Sequence, residues 1–284
     1  MIRREIRLSD GRRGWLLISQ RRHARLSRLL AERCAAPGGS SRSLSASDCW
    51  RRELQAAIEH HDDGWRQRDA FPPCDPHSGT PRNFDEWTAA ETLAIWSASI
   101  DACRRQGLLA GATAAAHFLR LLHGSERLPQ EPLAIGWQQQ TQTRRREWEE
   151  AWIAAKPQGR SDELADRAAQ WLSVFDAASL WLCLQAPFPE ASSEPSVAWE
   201  LDAAGSLASR WAAAPSSGRA AETPCFTSRA CVDPWLFDAA ALALELPARI
   251  VPQAAYGDAR ALWAASRPAT LRWRLSGPTA TAVG

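Results

Sequence analysis

The sequence predicts a mainly helical bundle closed by a small antiparallel β element that the N- and C-terminal segments build together. Three observations carry this reading. Apolar residues recur at helical spacing through the middle of the chain. Short runs that alternate, or are continuously apolar, sit near its two ends. The stretches between the periodic segments are rich in Pro, Gly and Ser.

Residues 2–8 alternate apolar and charged side chains, as an edge strand does, Ser9-Asp10-Gly11 is a turn, and residues 15–18 form a second short run, giving a β-hairpin. From Gln20 the pattern changes: Leu26, Leu29, Leu30 and Cys34 are spaced as on a helix, with His23 on the same face. Residues 36–47 read as a loop, followed by a helix from about Asp48, its N-cap, to the His61-Asp62 pair, ended by Gly64. Residues 69–86 have no period and hold Pro72-Pro73, Asp75-Pro76, Gly79 and Pro81, which predicts a long ordered or lid-like loop. Further helices are expected at 91–103, 108–122, 138–155 and 162–183. Residues 187–195 and 212–224 read as low-complexity linkers; 242–251 and 270–275 read as strands, with a short helix at 258–265. The expected organisation is therefore a hairpin (1–19), a helical core (20–185), a variable linker (186–230) and a β-rich element (231–284) packed on the core as one compact domain.

Composition narrows the function. The chain has 284 residues, a formal net charge of +2, 45% hydrophobic and 23% charged residues, which fits a soluble globular protein and gives no general attraction to nucleic acid. Lys156 is the only lysine, so the arginines read as a coding bias rather than as phosphate clamps. The 15 tryptophans are expected in the core or lining a pocket. Seven scattered cysteines, with no CxxC pair, indicate neither a zinc ribbon nor a disulfide framework, and point to a reducing cytoplasm. The N-terminus lacks the apolar core of a signal peptide, and the longest apolar run, 108–122, is interrupted by His117 and Arg120, so no membrane segment is expected.

The chemistry centres on Glu59-His60-His61-Asp62-Asp63-Gly64-Trp65. An adjacent His and Asp offer one neutral nitrogen and one anionic oxygen, a donor set that divalent cations accept. With these two neighbours on one helix, single ligands from helices on either side complete a site, and His23 and Asp176 are placed to supply them. Asp176 lies within the apolar run Trp171-Leu172-Ser173-Val174-Phe175, where an uncompensated carboxylate faces a high desolvation cost. Singly, His23 reads as a surface histidine and Asp176 as a helix-capping or hydrogen-bonding group; together with the pair they read as a metal site. His60, His77 and His123 read as exposed or structural. The donor set does not distinguish Mn, Fe, Co, Ni, Zn and Mg.

His, then His-Asp, then Asp on successive helices resembles the HD superfamily of metal-dependent phosphohydrolases, and His61-Asp62-Asp63-Gly64 is similar to a stretch of its cyclic-dinucleotide branch, where Lys stands in place of Trp65. Gly14-Trp15-Leu16-Leu17-Ile18-Ser19-Gln20, His61-Asp62-Asp63-Gly64-Trp65, Gly79-Thr80-Pro81-Arg82-Asn83-Phe84 and Asp233-Pro234-Trp235 resemble, in order, a bacterial family catalogued as domain of unknown function 3891. The HD resemblance implies an HD-like helical core and a hydrolase acting on a nucleotide or other small phosphoester. His23, His61, Asp62 and Asp176 would hold the metal ion. His117 would serve as phosphate donor, general acid or second-ion ligand, and Glu59 or Asp63 would orient ligands or activate water. Arg82 and Arg120 would bind phosphate oxygens, and Trp65 and Trp96 would stack on a base. Two other readings stay open: a sensor that binds its ligand without turnover, and a scaffold whose polar groups form only a buried network.

Overall fold

The computed structural model describes residues 1–8, 10–34, 49–155, 160–184, 196–201, 207–211, 225–233 and 235–277. The expected Asp48 cap, the 36–47 loop and the linkers at 187–195 and 212–224 lie outside these residues. The helices are α1 (Gln20–Arg33), α2 (Cys49–His60), α3 (Arg66–Ala70), α4 (Ala89–Arg104), α5 (Leu108–Gly124), α6 (Pro132–Ala155), α7 (Asp162–Leu184) and α8 (Ala259–Ala265). The strands are β1 (Ile2–Arg7), β2 (Arg13–Ile18), β3 (Ser196–Leu201), β4 (Leu207–Trp211), β5 (Cys225–Asp233), β6 (Ala241–Pro252) and β7 (Arg267–Ser276).

The two ends of the chain meet in one sheet, ordered β1-β2-β6-β7-β5-β3-β4. Its first four strands are antiparallel, with Leu16 opposite Ile250 and Leu244 opposite Trp273. β5 runs parallel to β7, β3 runs parallel to β5, and β4 is antiparallel to β3. These three strands correct the reading of 186–230 as linker. Their apolar residues are few and lie between Ala- and Ser-rich stretches, so the short alternation Val197, Trp199, Leu201 is diluted.

The sheet is covered on both sides where the hairpin sits. Leu16 and Ile18 face α1 and α7 in the main core, which also holds Leu26, Leu30, Phe175 and Leu182. Trp15 and Leu17 face the other way, onto Val251, Tyr256 and Leu262 of α8. Each such side chain contributes roughly 1.5–3 kcal/mol by leaving water. α4 and α5 form a second core, in which Trp96 stacks on Phe118 with ring centroids 5.3 Å apart.

Local signals fix the helix starts. Ser19 caps α1 by accepting from Arg22 N–H at 3.1 Å. Thr88 and Glu91 form a reciprocal capping box, so α4 begins at Ala89. α6 starts at Pro132, six residues before the expected 138; its first turns leave Leu133 and Ile135 exposed, which blurs the apolar period there. Among the described residues, no helix is long and apolar enough to cross a membrane.

Candidate metal centre

Four elements converge on one point: His23 from α1, His61 and Asp62 from the turn that follows α2, His117 from α5 and Asp176 from α7. All but the half-buried Asp176 are at most 6% exposed. The pair does not lie on the helix, as the sequence suggests, but just past its last residue, where Asp62 has left helical geometry (φ −105°, ψ 15°). That bend brings both side chains to the same side. It is held by Gly64, whose N–H donates to Ser99 Oγ at 3.0 Å and whose missing side chain admits α4: a Cβ there would meet Ile95 O at 2.1 Å.

Asp176 Oδ1 lies 2.8 Å from His23 Nε2 and 3.1 Å from His61 Nε2. Asp176 Oδ2 is 3.6 Å from His117 Nε2, and Asp62 Oδ2 is 3.7 and 3.6 Å from the Nε2 atoms of His23 and His61. Donor atoms of His23, His61 and Asp62, and separately of His61, His117 and Asp176, lie within 4.8 Å of one another.

The opposite ring nitrogens decide what these five groups can do. His61 Nδ1 faces the Ile58 carbonyl at 2.8 Å, an acceptor, so Nδ1 carries the proton. His23 Nδ1 is 2.8 Å from Ser179 Oγ, which gives its own proton to the Asp176 carbonyl at 3.0 Å and so receives Nδ1–H. His117 Nδ1 is 3.2 Å from Ser173 Oγ, which donates to Ala169 O at 3.1 Å and accepts from Arg120. When the three rings are neutral, these tautomers point three Nε2 lone pairs and two carboxylates inward, and the short contacts of His23 and His61 to Asp176 Oδ1 then need a proton or a cation between them. Acceptors packed this way require a positive charge between them, either protons or a cation.

The electrostatics agree. Burial opposes a charge on His61, but Asp62 and Asp176 outweigh it and raise its pKa to about 9. Burial also opposes ionisation of Asp176, yet hydrogen bonds from His23 and His61 hold its carboxyl well below the ordinary range. Asp62 is pushed up by burial, and burial lowers His117 to about 4. A neutral His117 whose Nδ1–H is committed to Ser173 offers a lone pair, as a ligand or proton acceptor would, rather than a proton as a general acid would.

A cavity of about 310 Å3 opens beside the cluster, and Trp65 and Trp96 line it. Other expected site residues are elsewhere. Glu59 is ion-paired with Arg28 on the outer side of α1 and α2. Asp63 is engaged by Arg21 at 2.7 Å, His60 at 3.0 Å and Arg66 at 3.1 Å. Neither carboxylate is among the cavity walls, so neither lines the space beside the cluster directly. Arg82 bonds Glu91 at 3.2 Å and lies over the Trp87 ring, behind the wall. Arg120 is turned to Ser173 and the Ala169 carbonyl, where it supports His117 from behind rather than meeting a ligand.

Sequence reasoning missed the serines that orient the imidazoles and much of the cavity lining, Gln20, Trp87 and Arg127 among it. The serines carried a signal. Ser173 and Ser179 stand three residues either side of Asp176, and Ser27 four after His23, on the ligand face of apolar helices.

Of the two readings of residues 69–86, an ordered loop or a lid, the hydrogen bonds describe an ordered loop that forms part of the cavity wall. Asp75 N–H donates to Thr80 O at 2.7 Å, Gly79 takes a positive φ (66°) against Ala255, and Gly79 O accepts from Tyr256 N–H at 2.8 Å. Arg3 grips it from β1: its backbone N–H donates to Asn83 Oδ1 at 2.9 Å, and its guanidinium reaches Pro81 O and Glu86. The loop thereby presents Phe84 to the cavity.

Residues 1–253, which include this wall and all five converging groups, match the family described as "Protein of unknown function (DUF3891)". The chain belongs to that family. No curated protein and no solved structure matches it. In this DUF3891 protein, then, the site has to be read from its own chemistry.

Proposed function

We propose that this DUF3891 protein is a metal-dependent phosphohydrolase acting on a nucleotide or other small phosphoester. The observation that carries the reading is the inward convergence of three imidazole Nε2 atoms and two carboxylates beside a cavity of about 310 Å3. His23, His61, Asp62 and Asp176 would hold a divalent ion, with His117 placed to join them. The mixed nitrogen and oxygen set suits Mn, Fe, Co, Ni or Zn as well as Mg. The order His, His-Asp, Asp on successive helices also resembles the HD superfamily.

When bound, such an ion polarises a phosphoryl oxygen and brings the pKa of a water towards neutrality. The residues do the rest. The Ile58 carbonyl and Ser179 fix His61 and His23 in the tautomer that presents Nε2 inward. Ser173 does the same for His117, whose Nε2 can accept the proton that an attacking water gives up. Overall, the water oxygen joins phosphorus, the ester P–O bond breaks, and the proton ends on the departing alcohol. Buried thiols such as Cys103 and Cys183 favour a reducing compartment, and we place the activity in the cytoplasm.

Metal content of the purified protein, wild type beside Asp62→Ala, tests the reading, followed by phosphate release on a panel of phosphoesters. Near-stoichiometric metal and turnover in wild type alone support it. A wild type that is empty and binds no added Mn or Zn sinks it and leaves a protonated buried network. Metal without turnover on any ester leaves a ligand-binding sensor.

A further inference from the structure

The cavity wall that does not belong to the histidine–aspartate cluster has a definite chemistry. Trp65, Phe84, Trp87, Trp96 and Phe118 give it a large aromatic share. Among the described residues Arg127 is the only Lys or Arg that lines it, and it already donates to Trp87 O at 3.1 Å. Asp62, Asp176 and Asp85 line the same space. One cation facing three carboxylates leaves little positive charge for a string of phosphates, even with one divalent ion present. The two arginines that could have added charge, Arg82 and Arg120, are bonded to Glu91 and to Ser173 behind the wall.

Gln20 stands apart in this wall. It is 4% exposed, lines the cavity, and lies one turn before His23 on the same face of α1. Its Oε1 is buried without a hydrogen-bond partner, and among the described residues its carboxamide bonds to no protein group. A buried amide left unbonded is unfavourable, and native interiors rarely keep one unless a ligand or water completes it.

Resting on the hydrolase reading of the same site, we infer that the cavity takes a ligand with a single phosphoryl group on a flat, apolar body, and that Gln20 fixes it by donating Nε2–H to a phosphoryl oxygen. The aromatic wall selects the flat body, and the shortage of cations selects one phosphoryl group over several.

Calorimetric titration of the full chain with manganese present tests this without turnover, using two phosphonates whose P–C bond does not hydrolyse. Phenylphosphonate is expected to bind at least tenfold more tightly than methylphosphonate, and Gln20→Met, which keeps the side-chain volume, to weaken phenylphosphonate about tenfold with metal content unchanged. Equal affinities for the two phosphonates, no binding of phenylphosphonate, or a Gln20→Met protein that binds as wild type does would overturn the inference. Phosphate release from small aliphatic esters alongside those results would leave the hydrolase reading standing. Conversely, selective, Gln20-dependent binding of phenylphosphonate with no turnover of any ester upholds the inference and removes the hydrolase.

Discussion

Ser179 Oγ sits 2.8 Å from His23 Nδ1, and this contact sets which nitrogen of His23 faces the cluster. The serine is fully buried and also meets Ser27 Oγ at 2.6 Å, so its acceptor capacity is filled in one way only. Ser179→Ala removes the acceptor and frees the imidazole to flip. Metal affinity is expected to fall ten- to a hundredfold, the usual cost of losing such a partner. Competition against a chelator of known affinity measures it, and an unchanged affinity would show that His23 is not a ligand.

Metal itself is expected to stabilise the fold. Ions that bind only the native state at a hundred times their Kd add about 2.7 kcal/mol. Thermal melting with added Mn or Zn should move upward in wild type and stay put in His61→Ala. A shift of equal size in both proteins would mean that the ion binds elsewhere.

Gly64 ties the metal centre to packing. In Gly64→Ala the new Cβ would press on the Ile95 carbonyl, so the turn carrying His61 and Asp62 must move. Overpacking of this kind costs about 1–3 kcal/mol. Chemical denaturation should report that loss, with weaker metal binding beside it; normal stability and normal metal affinity together would contradict the close approach of α4.

Glu91 gives an acid-sensitive term away from the cluster. Burial opposes its ionisation, but Arg82 and Thr88 outweigh burial and pull its pKa down to about 2. A depressed folded pKa stabilises above the unfolded value, near 4.5, and that contribution fades as pH falls towards 2. Glu91→Gln should therefore lower stability at pH 7 by about 1 kcal/mol, in line with other helix caps. The gap between the two proteins should narrow in denaturation curves taken below pH 4.5 and close only as pH approaches 2.

Much of this was legible from the residues alone. The His61-Asp62 pair and Asp176 stood out because charge inside an apolar helical run is costly, and the structure brings both to His23 and His117. The hairpin and the late strands showed their alternation, and they form the antiparallel part of the sheet. The direction of an arginine was not legible. Whether Arg82 or Arg120 meets a ligand depends on Glu91 and Ser173, which sequence distance hides. Glu59 and Asp63 flank the pair in sequence, but Glu59, still on α2, pairs with Arg28, and Asp63, past the bend, pairs with Arg21. β3, β4 and β5 have too few apolar residues for their alternation to rise above an Ala- and Ser-rich background.

Arg3 belongs to the edge strand, yet its bonds run to Asn83, Pro81 and Glu86 in the cavity wall. The sheet is thus more than a closure for the bundle. Through Arg3 the strand acts as a latch on the wall, so widening the cavity on that side means first peeling β1 away from its anchor points. Access to the centre is thereby coupled to the local unfolding free energy of an edge strand some eighty residues away along the chain, and amide exchange at Arg3 would report both at once.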